Sequence, residues 1–225
     1  FKIVLLLFIS AIGLYFAFYN IDFNDLLNRI LKVDLMRFST AIIILIVACI
    51  FRAQRLLYIV APLDNNISLH HLFSSTMIGY FGNGILFFRL GEVLKAYSIS
   101  QGNKITPSES FGVIMLERII DALTVLIFLL VFLPWFPIDN KTIRYWVIAF
   151  VAVTLLFTLT IVILRFINWK KFISSMGFIS ESIRNTTISI IDKIFNGIDA
   201  IIKTKHTWGI IISTSLVWVC YYLMT

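Results

Sequence analysis

Long apolar stretches separated by short polar ones dominate the pattern along this chain. Residues 38–60 and 111–133, for example, each form a run about as long as a helix needs to cross a bilayer. Apart from a few charged residues, these runs are almost entirely apolar. The pattern predicts spans at residues 3–19, 38–60, 111–133, 142–167 and 207–225.

Two polar stretches between the spans carry apolar residues at helical spacing. In residues 172–206, Ile183, Ile190, Ile194 and Ile198 share one face, opposite charged residues such as Asp192. This pattern predicts an amphipathic helix that either lies on the membrane or caps the bundle. Residues 20–37 predict a shorter interfacial helix by the same argument.

The stretch at residues 69–88 does not fit a plain crossing. Its apolar run contains Gly79, Gly82 and Gly84 with Asn83 among them, and glycine permits non-helical backbone. Broken backbone survives at membrane depth only where protein or water covers it. We therefore favour a re-entrant or broken helix near residues 69–88, while a full crossing stays open.

The predicted fold class is all-α, a polytopic transmembrane helix bundle with interfacial amphipathic helices, in one domain over residues 1–225. The segment Thr106-Pro-Ser-Glu109 is typical of a helix start. Because the chain begins at Phe1 and stops at Thr225 inside an apolar run, we expect it to be part of a longer protein.

Composition supports an integral membrane protein and excludes several function classes. The chain is 60% hydrophobic and 14% charged, whereas soluble domains carry about a quarter charged residues. Its net charge of +7 indicates topology and anionic lipid surfaces rather than nucleic acid. It contains no Walker A loop and no HExxH or GxSxG motif. Cys49 and Cys220 give no metal spacing, so neither a cofactor nor a metal is expected.

The distribution of lysine and arginine predicts the orientation. Seven occur in residues 165–205 and two in the opposing turn at residues 134–144, so residues 165–205 are expected in the cytoplasm. This corresponds to a multi-pass protein of a plasma (inner) membrane. If residues 69–88 re-enter from the cytoplasmic side, the N-terminus is also cytoplasmic, and if they cross it is outside.

Ionisable groups at membrane depth form the candidate site. Glu117 and Asp121 lie four residues apart on one helical face beside Arg118, and Asp121 is about 15 Å into its span. Charge at this depth is costly unless it is paired or hydrated, which makes it a functional-site hypothesis. Arginines bind phosphate oxygens with paired bonds, and glycines allow backbone amides to approach the same group. The expected substrate-binding residues are Arg52, Arg55, Asn83, Arg89, Glu92, Glu117, Arg118 and Asp121, with Gly79, Gly82, Gly84 and Gly91 for backbone approach to phosphate.

The same residues also have architectural interpretations. Glu117, Arg118 and Asp121 can hold helices together through ion pairs, with Arg89, Glu92 and Lys95 nearby. Arg52 and Arg55 can extend to the membrane interface. Asn83 can hydrogen-bond between helices, and the glycines can allow close packing.

Four short motifs occur in series: Arg52-x-x-Arg55, Gly79-x-x-x-Asn83, Arg89-x-Gly91-Glu92 and Glu117-Arg118-x-x-Asp121. The series resembles the transmembrane region of the lysylphosphatidylglycerol synthase family of flippase-like membrane proteins. The motifs cover residues 38–133, and the rest of the chain is similar only in hydropathy. Phe87 and Phe88 stand where family members often carry a proline before the arginine. The soluble aminoacyl-transferase domain of that family is not in this chain.

The resemblance implies translocation of lipids with polar heads. The leading hypothesis is a bacterial flippase-like protein without catalytic residues, whose partners are a phospholipid or lipid-linked substrate, membrane lipids, and a second copy or a partner synthase. One alternative is a membrane enzyme or membrane subunit acting on a lipid-linked substrate, with Asp121 or Glu117 as general base. Another is a structural scaffold.

Overall fold

Helices account for all regular structure in the part of the chain that the structure, a computed structural model, describes. The described residues are 15, 18–19, 23–85, 90–133, 141–167, 169–174 and 180–225, and no strand occurs among them. The all-α prediction is confirmed. The chain divides into two compact units, residues 1–44 and 45–225.

The first unit contains helix α1 (Phe23–Leu31) and the beginning of helix α2 (Leu35–Val60). Asp34 caps α2, because its Oδ1 accepts the backbone N–H groups of Met36 at 3.0 Å and Arg37 at 3.3 Å. The helix thus begins just before the predicted span 38–60. The predicted span 3–19 lies outside the described residues, apart from Tyr15, Phe18 and Tyr19.

The second unit holds the rest of α2 and the remaining described helices. Eight helices follow α2 among the described residues, and the first two of them form a hairpin. They are α3 (Leu69–Ile85), α4 (Gly91–Ser100), α5 (Pro107–Phe132), α6 (Lys141–Phe166), α7 (Trp169–Ser174), α8 (Glu181–Ile198), α9 (Ala200–Lys203) and α10 (Thr207–Leu223).

Two of the described helices, α2 and the Ile143–Arg165 part of α6, are long and apolar enough to cross a membrane. Helix α10 is apolar but shorter. Helix α5 has 26 residues and would also reach across, but Glu117, Arg118 and Asp121 interrupt its hydrocarbon surface. Whether α5 can cross a membrane therefore depends on whether these charged side chains are paired inside the protein or face lipid.

Helices α3 and α4 pack antiparallel, so that the end of α4 returns to the beginning of α3. His71 Nε2 lies 2.9 Å from the carbonyl oxygen of Ser98, and Ser75 Oγ lies 2.9 Å from Ser98 Oγ. An antiparallel pair of this kind is compatible with a re-entrant hairpin. Whether the segment re-enters or crosses the membrane, and from which side, stays a prediction.

The expectation that glycines break α3 is wrong. The helix runs without interruption through Gly79, Gly82 and Gly84 to Ile85. The glycines instead permit close packing: a Cβ on Gly82 would lie 2.8 Å from Gly91 Cα, and one on Gly91 would lie 2.1 Å from the Gly79 carbonyl oxygen. In lipid, where packing drives helix association, this contact compensates for the low helix propensity of glycine.

Helix α5 begins where the sequence predicted. Thr106 and Glu109 form a reciprocal capping box after which Pro107 opens the first turn. Nearby, Asp64 joins the α2–α3 loop to the α4–α5 loop by accepting the backbone N–H of Lys104 at 2.9 Å. That bond, and a second from the Asn66 N–H, lower the pKa of the Asp64 carboxyl.

The amphipathic segment packs on the bundle. A Cβ on Gly112 of α5 would lie 2.0 Å from the Ile194 carbonyl oxygen, and one on Gly197 of α8 would lie 2.1 Å from the Glu109 carbonyl oxygen. Asn196 also donates to Glu109 Oε1 at 2.7 Å. Of the two predicted placements, contact with the bundle is the one that the described residues show.

Candidate functional site

The centre of the site is a pair of arginines on α2 facing a pair of carboxylates on α5. Arg52 and Arg55 lie three residues apart, and Glu117 and Asp121 lie four apart, so each pair shares a helical face. Arg52 donates to Asp121 Oδ2 at 2.7 Å, and Arg55 donates to Asp121 Oδ1 at 2.7 Å. Asp121 is thus held by both arginines.

Glu117 has a fully buried side chain. Its Oε1 accepts from Arg55 at 3.0 Å, and its Oε2 accepts from Lys95 of α4 at 2.7 Å. Arg55 is also fully buried. Because a buried ion is tolerated only when its hydrogen bonds are satisfied, this contact ties together α2, α4 and α5. Arg55 does not extend to the membrane interface, contrary to one of the two interpretations above.

Arg118 differs from the other cations of the cluster. Its side chain is 39% exposed, and its nitrogens lie 3.5 Å from Glu117, 3.7 Å from Asp121 and 3.8 Å from Glu92. Within the described part of the chain, none of these contacts has the geometry of a hydrogen bond, whereas Arg52 and Arg55 each donate hydrogen bonds to carboxylates. Arg118 is therefore attracted to the cluster but keeps its donors available.

Three residues of the cluster were missed by sequence reasoning. Tyr80 of α3 accepts a hydrogen bond from Arg52, and the rings of Tyr80 and Tyr221 each lie 5.9 Å from the Arg52 guanidinium carbon. Thr214 of α10 lies 3.5 Å from Arg55. The position of Tyr80 within the Gly79–Asn83 motif was an available signal. Nothing in the sequence linked Tyr221 or Thr214 to residues more than 150 positions earlier.

Asn83 and the glycines lie beside the charged cluster. Asn83 Oδ1 accepts the backbone N–H of Gly91 at 3.0 Å, which joins α3 to α4 and occupies that amide. Gly79 and Gly82 are at the same helix contact, whereas a Cβ on Gly84 would meet nothing within 4 Å. For these residues the described contacts are the architectural ones. Their approach to a phosphate stays a prediction.

Arg89 lies outside the described residues, so its predicted place in the cluster is not described. Glu92 joins the cluster only through its long contact with Arg118. The described groups comprise four cations and three anions, an excess of one positive charge.

A narrow cleft opens beside the cluster. Its space is only about 10 Å³, room for roughly one water molecule. The guanidinium groups of Arg52 and Arg118 at this cleft are donors of the kind that bind anions. The cleft is lined by Arg52, Thr76, Gly79, Tyr80, Asn83, Glu92, Lys95 and Arg118.

Comparison with known proteins gives one match. The family model described as "Lysylphosphatidylglycerol synthase TM region" matches residues 3–225, which is nearly the whole chain. No curated protein and no solved structure matches.

Proposed function

The chain belongs to the lysylphosphatidylglycerol synthase transmembrane-region family, and from that premise we propose that it translocates a phospholipid by holding the headgroup phosphate at the charged cluster. The family makes it a membrane protein linked to lipid handling. The proposal adds the flippase activity and the residues that carry it.

The observation that carries the proposal is the contrast between Arg118 and the other cations. Arg52, Arg55 and Lys95 are buried and donate to carboxylates, so they are already engaged in the fold. Arg118 has a half-buried guanidinium at the cleft and makes no hydrogen bond within the described residues. A phosphate oxygen is the acceptor that a planar guanidinium binds best.

The small volume of the cleft implies that the described state is closed. A phosphate is larger than one water, so the headgroup can enter only if the lining separates. The 3.8 Å contact between Arg118 and Glu92 is the one in that lining that we expect to separate most easily. It is long, and the two side chains are 39% and 29% exposed. We propose that a phosphate takes the place of Glu92 beside Arg118 while the buried pairs behind remain intact.

The pairing of the carboxylates favours transport over catalysis. A general base needs a carboxylate lone pair that faces the substrate proton, and cationic neighbours that stabilise the ionised carboxylate make it a weaker base. Both oxygens of Asp121 accept from arginines, and both oxygens of Glu117 accept from cationic groups. A scaffold would account for those pairs, but it would not require Arg118 donors that lie at the cleft without a hydrogen bond.

Removing the Arg118 guanidinium is the direct test. In proteoliposomes containing a fluorescent or aminoacylated phosphatidylglycerol, Arg118→Ala should slow transfer between leaflets by roughly ten- to a hundredfold, the effect of losing a charge-assisted hydrogen bond. The matched control is Arg37→Ala, which removes an arginine whose side chain is 89% exposed and distant in sequence from the cluster. Its transfer rate should equal that of the unsubstituted protein.

Equal transfer rates in Arg118→Ala and the active unsubstituted protein would contradict the proposed role. Incubation of purified protein with the same lipids, followed by mass spectrometry, addresses the alternative. A new lipid mass that disappears in Asp121→Asn would establish the enzyme instead.

A further inference from the structure

We propose that the groove between α5 and α10 receives an acyl chain of the same phospholipid whose phosphate lies at the charged cluster. This inference rests on the proposed function and adds the part of the site that would hold the lipid tail. It assigns a binding role to residues near the end of α10 that no motif in the sequence marked.

The groove is apolar and large, with a volume of about 740 Å³. Ligand sites for small molecules have volumes of about 300–1,000 Å³ and are lined mostly by apolar and aromatic side chains. Helix α5 contributes Phe128 and Phe132, and α10 contributes five of the lining residues. The α10 residues are Ser215, Trp218, Val219, Tyr221 and Tyr222, with Thr225 following.

A row of aromatic contacts connects this groove to the charged cluster. The Arg52 guanidinium lies 5.9 Å from the ring of Tyr221, and that ring lies 5.8 Å from Trp218. Trp218 in turn lies 5.6 Å from Phe128, which lies 6.4 Å from Phe132. The row therefore leads from a cation at one end to pure hydrocarbon surface at the other.

One buried polar atom along the row needs an acceptor. Trp218 Nε1 is buried and has no hydrogen-bond partner in the described part of the chain. An unsatisfied N–H in an apolar site is costly, so such groups usually have a ligand or water partner. A phospholipid has an ester carbonyl between its phosphate and its hydrocarbon, which is the order of groups that this row would meet.

The three features select one class of molecule. A free phosphate would satisfy the cations but leave Trp218 and the groove unoccupied. A neutral diacylglycerol would fill the groove but bring no anion to Arg118. A phospholipid carries a phosphate, an ester carbonyl and an acyl chain in the same order as the cations, Trp218 and the groove. The membrane contains such molecules.

Photocrosslinking in the full-length protein tests the inference. Nanodiscs would contain a phosphatidylglycerol with a diazirine in its acyl chain, or a diacylglycerol with the same chain as the phosphate-free comparison. Labelled positions are mapped by mass spectrometry. We expect the phospholipid to label residues 218–222 of α10 and 128–132 of α5 in preference to the exposed Leu156 on α6, and we expect no such preference for the diacylglycerol.

Obstruction of the groove provides the matched variants. Ser215→Trp places a large side chain in the groove, whereas Ile212→Trp places it on the same helix at an exposed position outside the lining. Ser215→Trp should lower groove labelling by roughly ten- to a hundredfold, as expected for displacing a well-buried hydrocarbon, and Ile212→Trp should leave it unchanged. Val219→Trp repeats the obstruction if Ser215→Trp fails to fold.

Binding of water-soluble glycerophosphoglycerol, which has the headgroup but no chains, separates this inference from the proposed function. It should bind equally to both tryptophan variants and be lost in Arg118→Ala. If it binds but the groove labels no better than α6, or labels equally in Ser215→Trp and Ile212→Trp, the acyl-chain assignment is wrong and the phosphate site stands. If glycerophosphoglycerol does not bind to the unsubstituted protein, the proposed phosphate site at the charged cluster is wrong. In a separate variant with a photoreactive amino acid at position 222, a crosslink to protein rather than to lipid would show that a further segment or a second copy covers the groove, which would also overturn the assignment.

Discussion

At the scale of single residues, Arg55 and Glu117 show how charge is tolerated at this depth. Both side chains are fully buried, and each makes hydrogen bonds to groups of opposite charge. Such a pair adds little net stability compared with apolar residues of the same size. Removing only one member of the pair is costly, because the remaining ion stays buried without a partner.

Truncating Arg55 should therefore be far more damaging than truncating an apolar residue at the surface. We expect Arg55→Ala to lower the free energy of unfolding by about 3–5 kcal/mol, since Glu117 and Asp121 each lose a cation. Leu130→Ala on α5, at a side chain that is 53% exposed, should change it by about 0.5 kcal/mol or less. Unfolding of both variants in the same detergent measures the difference, and equal stability would mean that the pairs are not formed.

Sequence reasoning identified most of this cluster because helical spacing is a strong constraint. The intervals 52–55 and 117–121 place each pair on one face, and charge inside an apolar run must find a partner. The sequence could not show that Arg118 differs from its neighbours. Adjacent residues of a helix point about 100° apart, so Arg118 cannot face the same partners as Glu117, but which surface it meets depends on α3 and α4.

At the scale of elements, the α3–α4 contact shows why glycine positions were misinterpreted. Glycine is compatible with both a broken helix and a close helix crossing, and single-sequence patterns do not separate the two. The two cases are distinguished by what each glycine packs against. Gly91 lies against the backbone of Gly79 on the neighbouring helix, whereas a Cβ on Gly84 would have no atom within 4 Å. Three similar glycines therefore have two different environments.

Alanine substitution should separate these environments. A Cβ on Gly91 would lie 2.1 Å from a backbone carbonyl oxygen, so Gly91→Ala must push α3 and α4 apart and should destabilise the protein by about 1–3 kcal/mol. Gly84→Ala adds a methyl group to open space within a helix and should be neutral or stabilising by about 0.5–1 kcal/mol. Thermal unfolding of the purified variants tests both signs, and a destabilised Gly84→Ala would indicate a contact outside the described residues.

At the scale of the whole molecule, the orientation in the membrane determines which side of the bilayer the candidate site would face. The family and the apolar helices make the protein integral to a membrane, and the charge asymmetry predicts a plasma membrane orientation with residues 165–205 in the cytoplasm. Asp139, one marker of the opposite side, lies outside the described residues. Lys141 at the beginning of α6 serves the same purpose.

Cysteine labelling of intact cells should locate the two sides. Cys49 and Cys220 are buried and are replaced first, after which Lys141→Cys or Ser189→Cys supplies a single thiol. We expect an impermeant maleimide to label position 141 in intact cells and position 189 only after permeabilisation. The reverse pattern would invert the orientation and with it the leaflet from which the proposed site would receive a lipid.

The order in which the partners of α5 occur along the chain has a consequence for biogenesis. Glu117 and Asp121 form their hydrogen bonds with Arg52, Arg55 and Lys95, all of which are synthesised before α5. On insertion scales a charged residue at the centre of a helix costs about 2.5–3.5 kcal/mol, so α5 is a poor substrate for entering lipid alone. Because its neutralising cations on α2 and α4 are synthesised before it, we expect α5 to enter lipid together with those earlier helices. The cluster would then influence membrane insertion as well as form a candidate binding site.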